Sequence, residues 1–329
     1  MTRYVLRRLA GAALVLLALS VLVYALFYVA PGDPARLACG ERCNPQQIAQ
    51  VREQLGLNES VFAQYLHFAQ GVVAGRDYSG GTGVLNCDAP CLGLSYQTDQ
   101  QVTDLILERL PATASLALGA MVIWLVIGVG TGLLSALRRG GLTERALTVL
   151  TLAGTGTPVF ILGLLLLMAV CAYLRWLPFP TYVPLGEDPE QWAWNMLLPW
   201  LTLGFFESAK YARLTRSSTL ETLAEDHIRT FRAYGVGERA VVTRHALRGA
   251  VPPVVALSAL DLGSMFGGAV LTESLFGIPG LGKTLIDGVR QIDLPVVVGV
   301  VLLMGAAVVV ANVVADLLYA VADRRVVLT

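Results

Sequence analysis

Eight residues, Gly277 to Thr284, read GIPGLGKT and satisfy G-x-x-x-x-G-K-[ST] at every required position. In the chemistry that pattern serves, backbone amides of a glycine-rich turn surround phosphates. The lysine reaches them and the hydroxyl holds magnesium. Such a site needs a strand before the turn, a helix after it and a soluble α/β domain around both. A second constellation is the pair CGERC and CDAPC, with Cys39, Cys43, Cys87 and Cys91. Four thiolates could hold zinc, although zinc sites usually space each pair more closely. Disulfides and free thiols are the alternatives, an oxidising exterior favours disulfides, and spacing does not say which cysteine pairs with which. The three histidines, His67, His227 and His245, lie far apart in the chain and form no metal or nucleophile constellation. No resident metal and no catalytic residue is expected.

Whether the glycine-rich stretch can hold phosphate depends on the elements around it. Of 329 residues, 55% are hydrophobic and 15% charged, against about 25% charged in an average soluble domain. The charges are also unevenly placed. None occurs between Arg8 and Asp33, Arg109 and Arg138, Arg145 and Arg175, or Asp293 and Asp316. Each gap is long enough for the ~20 apolar residues that cross a bilayer core. Residues 192–212, with Glu207 and Lys210 at their end, and residues 250–272, apolar except for Asp261, complete a set of six spans. The first has the basic start of a secretory signal, but its apolar run exceeds the usual ~7–15 residues and lacks a convincing cleavage site, so it reads as a retained helix. The expected fold is an all-α polytopic membrane protein.

Lysine and arginine placement orients it. With both termini inside, cytoplasmic segments hold 16 of the 24 basic residues, at the amino terminus, around Arg138–Arg145, from Lys210 to Arg248, and at Arg324 and Arg325. The short outer loops hold only Arg175, Lys283 and Arg290. This divides the chain into residues 1–30 (amino terminus and first span), 31–109 (an extracytoplasmic loop or cap) and 110–329 (the remaining spans). It also puts GIPGLGKT outside, between spans five and six, where the structural context of a nucleotide site is missing. A tight re-entrant turn built by its glycines and Pro279 is expected instead, with Lys283, Asp287 and Arg290 at the outer mouth.

Within the first outer loop, Asn44 and Pro45 read as the cap and first residue of a helix carrying Ile48, Val51 and Leu55 at helical spacing. ESVFAQYLHFAQGVVAG reads as a second helix against the membrane or the spans, and residues 75–93 as an ordered loop without regular structure. Cys171 reads as a small packing residue. On the cytoplasmic side, residues 216–250 form a loop in which TLAEDHIRTFRAY is helical, with Leu223, Ile228 and Phe231 as apolar contacts. Gly235 and Gly237 break it, and ERAVVTRHALRGA forms a second helix ended by Gly249 and Pro252. A helix–glycine–helix between two spans is a compact projection able to sit in a groove on a partner.

That loop resembles the coupling segment of binding-protein-dependent ABC importer permeases. The matching positions are Glu225, Asp226, Arg229, Thr230, Arg232, Ala233 and Gly235, followed by Arg244, His245, Ala246, Leu247 and Pro253. The chain is similar to the dipeptide/oligopeptide permease family over nearly its whole length, through RYVLRRL, FYVAPGDPA, ERLPATASLAL, TESLFGIPGLGKTLIDGV and NVVADLLYAVADRR. The resemblance implies a half-transporter of the ABC importer permease type, paired with a paralogous permease subunit. Two ATPase subunits, or one fused pair, would use ATP and magnesium beneath it, and an extracytoplasmic substrate-binding protein would deliver di- or oligopeptides. The same subfamily includes importers of nickel chelates and oligosaccharides. This chain would bind no cofactor and no nucleic acid, and would lie in the bacterial cytoplasmic membrane. Its outer loop is longer than the family pattern, Glu207 and Asp261 stand where uncharged residues are usual, and DRR replaces a common D-P-R.

Ionisable residues inside a membrane are functional candidates, because burying an unpaired charge costs several kcal/mol. Glu207, Lys210 and Arg213 fall three apart on one helical face and read as an ion-paired ladder. Asp261 has no partner in its own helix and is a candidate for the translocation path, with contact to the partner subunit as the alternative. Glu273, Gly277, Pro279, Gly280 and Lys283 are candidates for the gate, and Asn312 and Asp316 for helix packing. An integral-membrane enzyme and a self-sufficient carrier are the competing classes. The scattered histidines argue against the first, and the single coupling loop without an inverted repeat against the second.

Overall fold

The computed structural model describes residues 2–26, 35–36, 44–54, 58–80, 83–138, 141–142, 146, 149 and 156–322. The expected Cys39–Cys43 region, the contact made by Leu55 and the side chain of Val51 lie outside them. Among the described residues, four helices are long and apolar enough to cross a membrane: Leu6–Tyr24, Val102–Leu137, Glu238–Gly267 and Leu294–Leu317. They correspond to expected spans one, two, five and six. Expected span three coincides in part with α5 (Val159–Leu166) and its π-helical continuation Leu167–Tyr173. Span four lies within α6 (Pro189–Ala224), which is long but more polar.

Before these come α1 (Thr2–Tyr24), α2 (Pro45–Gln54) and α3 (Val61–Ala74). Asn44 caps α2 as expected, accepting from the Gln47 amide at 2.8 Å while its own amide donates to Gln47 Oε1 at 3.0 Å. α3 rests on the far end of α1, where the Tyr24 ring lies 5.5 Å from those of both Tyr65 and Phe68. Residues 75–93 are more regular than expected. Arg76–Gly80 (β1) and Gly83–Cys87 (β2) form an antiparallel hairpin, Arg76 opposite Cys87. The GGTG run between them is a hairpin composition that reads as loop when no apolar alternation flanks it. A disulfide joins Cys87 to Cys91, and the Cys91 amide donates to Gly71 O at 3.2 Å, so the hairpin is tied back to α3.

The core is the crossing of α4 (Val102–Leu137) with α6. A Cβ on Gly128 would lie 2.9 Å from Ser208 O, and one on Gly132 2.5 Å from Ala212 O. Only glycine lets the two backbones meet so closely, which is how helices associate where lipid supplies no hydrophobic drive. Trp124 stacks on Tyr211 at 5.9 Å beside this crossing, both fully buried. Apolar side chains facing away from the core remain exposed, among them Leu14, Leu17 and Leu22 on α1 and Val122 and Val126 on α4. A surface of that kind suits hydrocarbon and not water.

After α6 come α7 (Asp226–Ala233), a short turn, and a helix that opens at Glu238–Ala240 and passes through a π stretch, Val241–Ala246. It continues without interruption as α8 (Leu247–Gly268). The expected stop at Gly249 and Pro252 is therefore wrong, because both lie inside the helix. Proline removes one N–H, but membrane helices tolerate it where neighbouring helices and π adjustments absorb the freed carbonyl. The last described elements are α9 (Val270–Phe276), α10 (Leu281–Gln291) and α11 (Leu294–Ala322), with α11 packed on α8 and α1.

Candidate functional site

Chain direction reverses between α9 and α10, and the reversal is GIPGLGKT. Gly277 ends α9 in the left-handed region at φ 67°, and the Ile278 amide returns to Glu273 O at 2.9 Å, a glycine cap. The Gly280 amide then donates across Pro279 to Ile278 O at 2.9 Å, and α10 begins. Where a phosphate loop would aim its amides at a phosphate, the start of α10 meets an acidic side chain of the protein's own. The fully buried Glu273 carboxylate accepts from the Lys283 amide at 2.9 Å and from Thr113 Oγ1 of α4 at 2.7 Å. Thr113 Oγ1 in turn accepts from the Leu281 amide at 2.8 Å.

This arrangement accounts for the glycine spacing. A Cβ on Gly280 would stand 2.4 Å from the Glu273 carboxyl carbon, and one on Gly282 2.6 Å from Val270 Cα. Both positions must be bare for the carboxylate to reach the helix end, where the dipole and free amides favour negative charge. Lys283 takes part through its backbone; among the described residues its ammonium has no partner. Sequence reasoning placed Glu273, Gly277, Pro279, Gly280 and Lys283 together but missed Thr113. Only an apolar helix bearing one buried hydroxyl, in LPATASL, could have signalled it.

The segment before α4, at Ser95–Gln97, grips the other end of α10. Ile292 terminates that helix at φ 58°, an uncommon conformation for a β-branched residue. Asp293 fixes it: its amide donates to Gly288 O at 2.8 Å, and its carboxylate accepts from Ser95 Oγ and from the Tyr96 amide at 3.2 Å. Gln97 Nε2 adds a bond to Gln291 O at 3.1 Å. Ser95 and Asp293 are both buried, and neither was expected from sequence.

Deeper in the bundle, Lys210 joins the two acidic departures from the family pattern. Its Nζ lies 2.8 Å from Glu207 and 2.7 Å from Asp261 on α8, while the Tyr211 hydroxyl donates to the same Asp261 oxygen at 2.6 Å. The expected ladder exists from Glu207 to Lys210, then crosses to the next helix and does not continue to Arg213. Asp261 thus has the partner its own helix lacks. Asn312 bonds its own helix, through Val308 O at 2.9 Å, and Asp316 pairs with Arg8 of α1.

On the opposite end, α7 and the helix after it fold against each other. Gly235 turns the chain at φ 77°, with open space where a Cβ would be. Across that turn Arg232 donates twice to Glu238, at 3.0 and 2.6 Å, and the Phe231 ring stacks on His245 at 3.9 Å. Arg232 draws the Glu238 carboxyl below the usual carboxylate range. Ile228 and Val241 are buried in the seam, whereas Glu225, Asp226, Arg229, Thr230, Ala233, Tyr234 and Arg244 face outward. The unit presents a polar surface with one large aromatic, Tyr234, 83% exposed at its tip.

A helical chain with several apolar spans, a small-residue helix crossing and a projecting helix–glycine–helix defines a polytopic transport component. Residues 128–328 match the family described as binding-protein-dependent transport system inner membrane component, and residues 1–117 match its amino-terminal membrane component. The chain belongs to that family: it is a multi-pass inner-membrane permease of the ABC transporter class, a non-catalytic component. It is 37% identical over 320 residues to a glutathione transport system permease protein of Escherichia coli, covering 97% of each chain. It is 34% identical to a probable peptide ABC transporter permease protein of Sinorhizobium fredii, covering 98% of each, and 35% identical to a putative peptide transport system permease protein of Brucella abortus, covering 99% of each. The fold is also similar to a chain of the MetNI methionine ABC transporter in an inward-facing form, with TM-score 0.53 and 17% identity over 68% of this chain and 98% of that one.

Proposed function

We propose that this chain is half of the translocation path of an ATP-driven importer of di- or oligopeptides, including small peptides of the glutathione kind. Six spans with both termini in the cytoplasm carry it, supported by the basic residues on that side. A paralogous permease completes the path, a substrate-binding protein delivers the peptide outside, and two ATPase subunits bind beneath. ATP and magnesium belong to those subunits; the glycine-rich loop of this chain is filled by Glu273 and takes no nucleotide. Peptide is favoured by the peptide and glutathione permeases that the chain matches almost end to end.

The observation that carries the reading is the closed helix–glycine–helix of residues 222–247. It is braced internally by Arg232–Glu238 and Phe231–His245, yet offers Tyr234 and a polar face outward. A unit so braced moves as one body, as transmission of ATPase closure requires. Gly235 supplies the test, because space there is open and only the backbone sign constrains it. Gly235→Val costs about 1–2 kcal/mol in the left-handed region, whereas asparagine visits it readily. Binding-protein-stimulated ATPase activity and peptide uptake are expected to fall together in Gly235→Val, with membrane insertion intact, and to survive in Gly235→Asn. Unchanged stimulation in the valine variant would refute the docking assignment.

A further inference from the structure

Between α1 and α11, near the amino-terminal arginines, lies a cavity of about 540 Å³. Its polar end is formed by Arg7, Arg8 and Asn312; its walls are Gly11 and Val15 on one helix and Val309 and Val313 on the other. The charges there are unequal. Arg8 is paired with Asp316, but Arg7 has no acidic partner among the described residues. Gly11 leaves room as well, since a Cβ there would meet nothing within 4 Å. The apolar span begins at Leu6, so Arg7 stands where hydrocarbon gives way to headgroups.

A guanidinium with no acidic partner among the described residues, above a slot lined by small and β-branched apolar residues, is complementary to one class of molecule. The ligand must carry an anionic phosphate at one end and an acyl chain at the other. We propose that this cavity seats one anionic phospholipid, its phosphate on Arg7 and one chain along Gly11, Val15, Val309 and Val313. The lipid bridges α1 to α11 beside the Arg8–Asp316 pair. The site does not depend on what the transporter carries.

The test uses the full chain purified with its associated subunits, delipidated, and returned to nanodiscs of phosphatidylglycerol or phosphatidylcholine. Lipid retained after extraction is counted by native mass spectrometry. Wild type is expected to keep one phosphatidylglycerol and no phosphatidylcholine. Arg7→Gln is expected to lower that retention roughly fivefold, the worth of one basic residue near an anionic headgroup. Gly11→Leu is expected to abolish it by filling the slot while leaving both arginines in place. Arg175→Gln, an exposed arginine outside the cavity, is expected to behave as wild type. The proposal is overturned if Arg7→Gln and Arg175→Gln retain equal amounts, which would mean a merely solvated arginine. It is also overturned if Gly11→Leu keeps the lipid, or if 10 mM inorganic phosphate (roughly a hundredfold excess over protein) displaces it.

Discussion

Two helix–turn–helix reversals, one at each end of the molecule, are built around glycine for opposite reasons. In GIPGLGKT the glycines at 280 and 282 exist because something is pressed against them, the Glu273 carboxyl and the Val270 backbone. At Gly235 nothing is near, and glycine serves only to reverse the sign of φ. The GIPGLGKT reversal is buried and held by hydrogen bonds to a third helix. The Gly235 reversal is held by its own two arms and is otherwise open. A glycine in sequence therefore marks either a crowd or a corner, and only the partner side chain tells which.

The comparison breaks most severely at the buried end. Glu273→Ala would leave the Thr113 O–H and the Lys283 amide without their acceptor and open a void. At about 1–3 kcal/mol for each unsatisfied group, the loss is expected to reach roughly 3–5 kcal/mol. Glu273→Gln, which keeps shape and an acceptor, is expected to lose less than half of that. Thermal unfolding of the assembled complex measures both, and equal melting of the two variants would mean the carboxylate is not held as described. Lys283→Ala is the internal control, since only its backbone is used.

A smaller effect is expected at the Glu207–Lys210–Asp261 cluster. Lys210→Met strands two carboxylates, and with the lysine side chain 40% exposed the cost is roughly 1–3 kcal/mol. Adding Asp261→Asn to it is expected to restore part of the loss. If the double variant is no better than the single, the two residues are not coupled.

The smallest effect belongs to the Gly235 reversal. Glu238 is depressed by Arg232, so its contribution is complete above the ordinary carboxylate pKa and is lost as pH falls through the lowered one. Proteolytic nicking at Tyr234–Gly237 is expected to quicken only in that acidic window. Glu238→Gln is expected to show the faster rate already at pH 7, and a variant as resistant as wild type would mean the bridge does not brace the turn.

Much of this was legible in the sequence, and the reasons are local. Charge-free runs of twenty or more residues mark spans because hydrocarbon excludes charge, and Asn44–Pro45 marks a helix start because its chemistry is complete within four residues. The misses are relations between distant segments. Thr113 and Glu273 are 160 positions apart, and Ser95 and Asp293 are 198 apart. No periodicity announces such pairs. Asp261 looked solitary because its partner sits on another helix, and Gly249–Pro252 looked like a stop because soluble rules were applied to a membrane helix. The hairpin was overlooked for want of apolar alternation.

One helix joins the two reversals. From Glu238 to Gly267 it runs 30 residues, about 45 Å at 1.5 Å per residue, with its near end inside the helix–glycine–helix unit and its far end two residues short of Ala269, which leads into α9. The two reversals are thus the ends of one continuous helical run, in which the π stretch Val241–Ala246 and Pro252 and Pro253 are the points of give. Tilted as a whole by about 5°, a run of that length displaces its far end by about 4 Å.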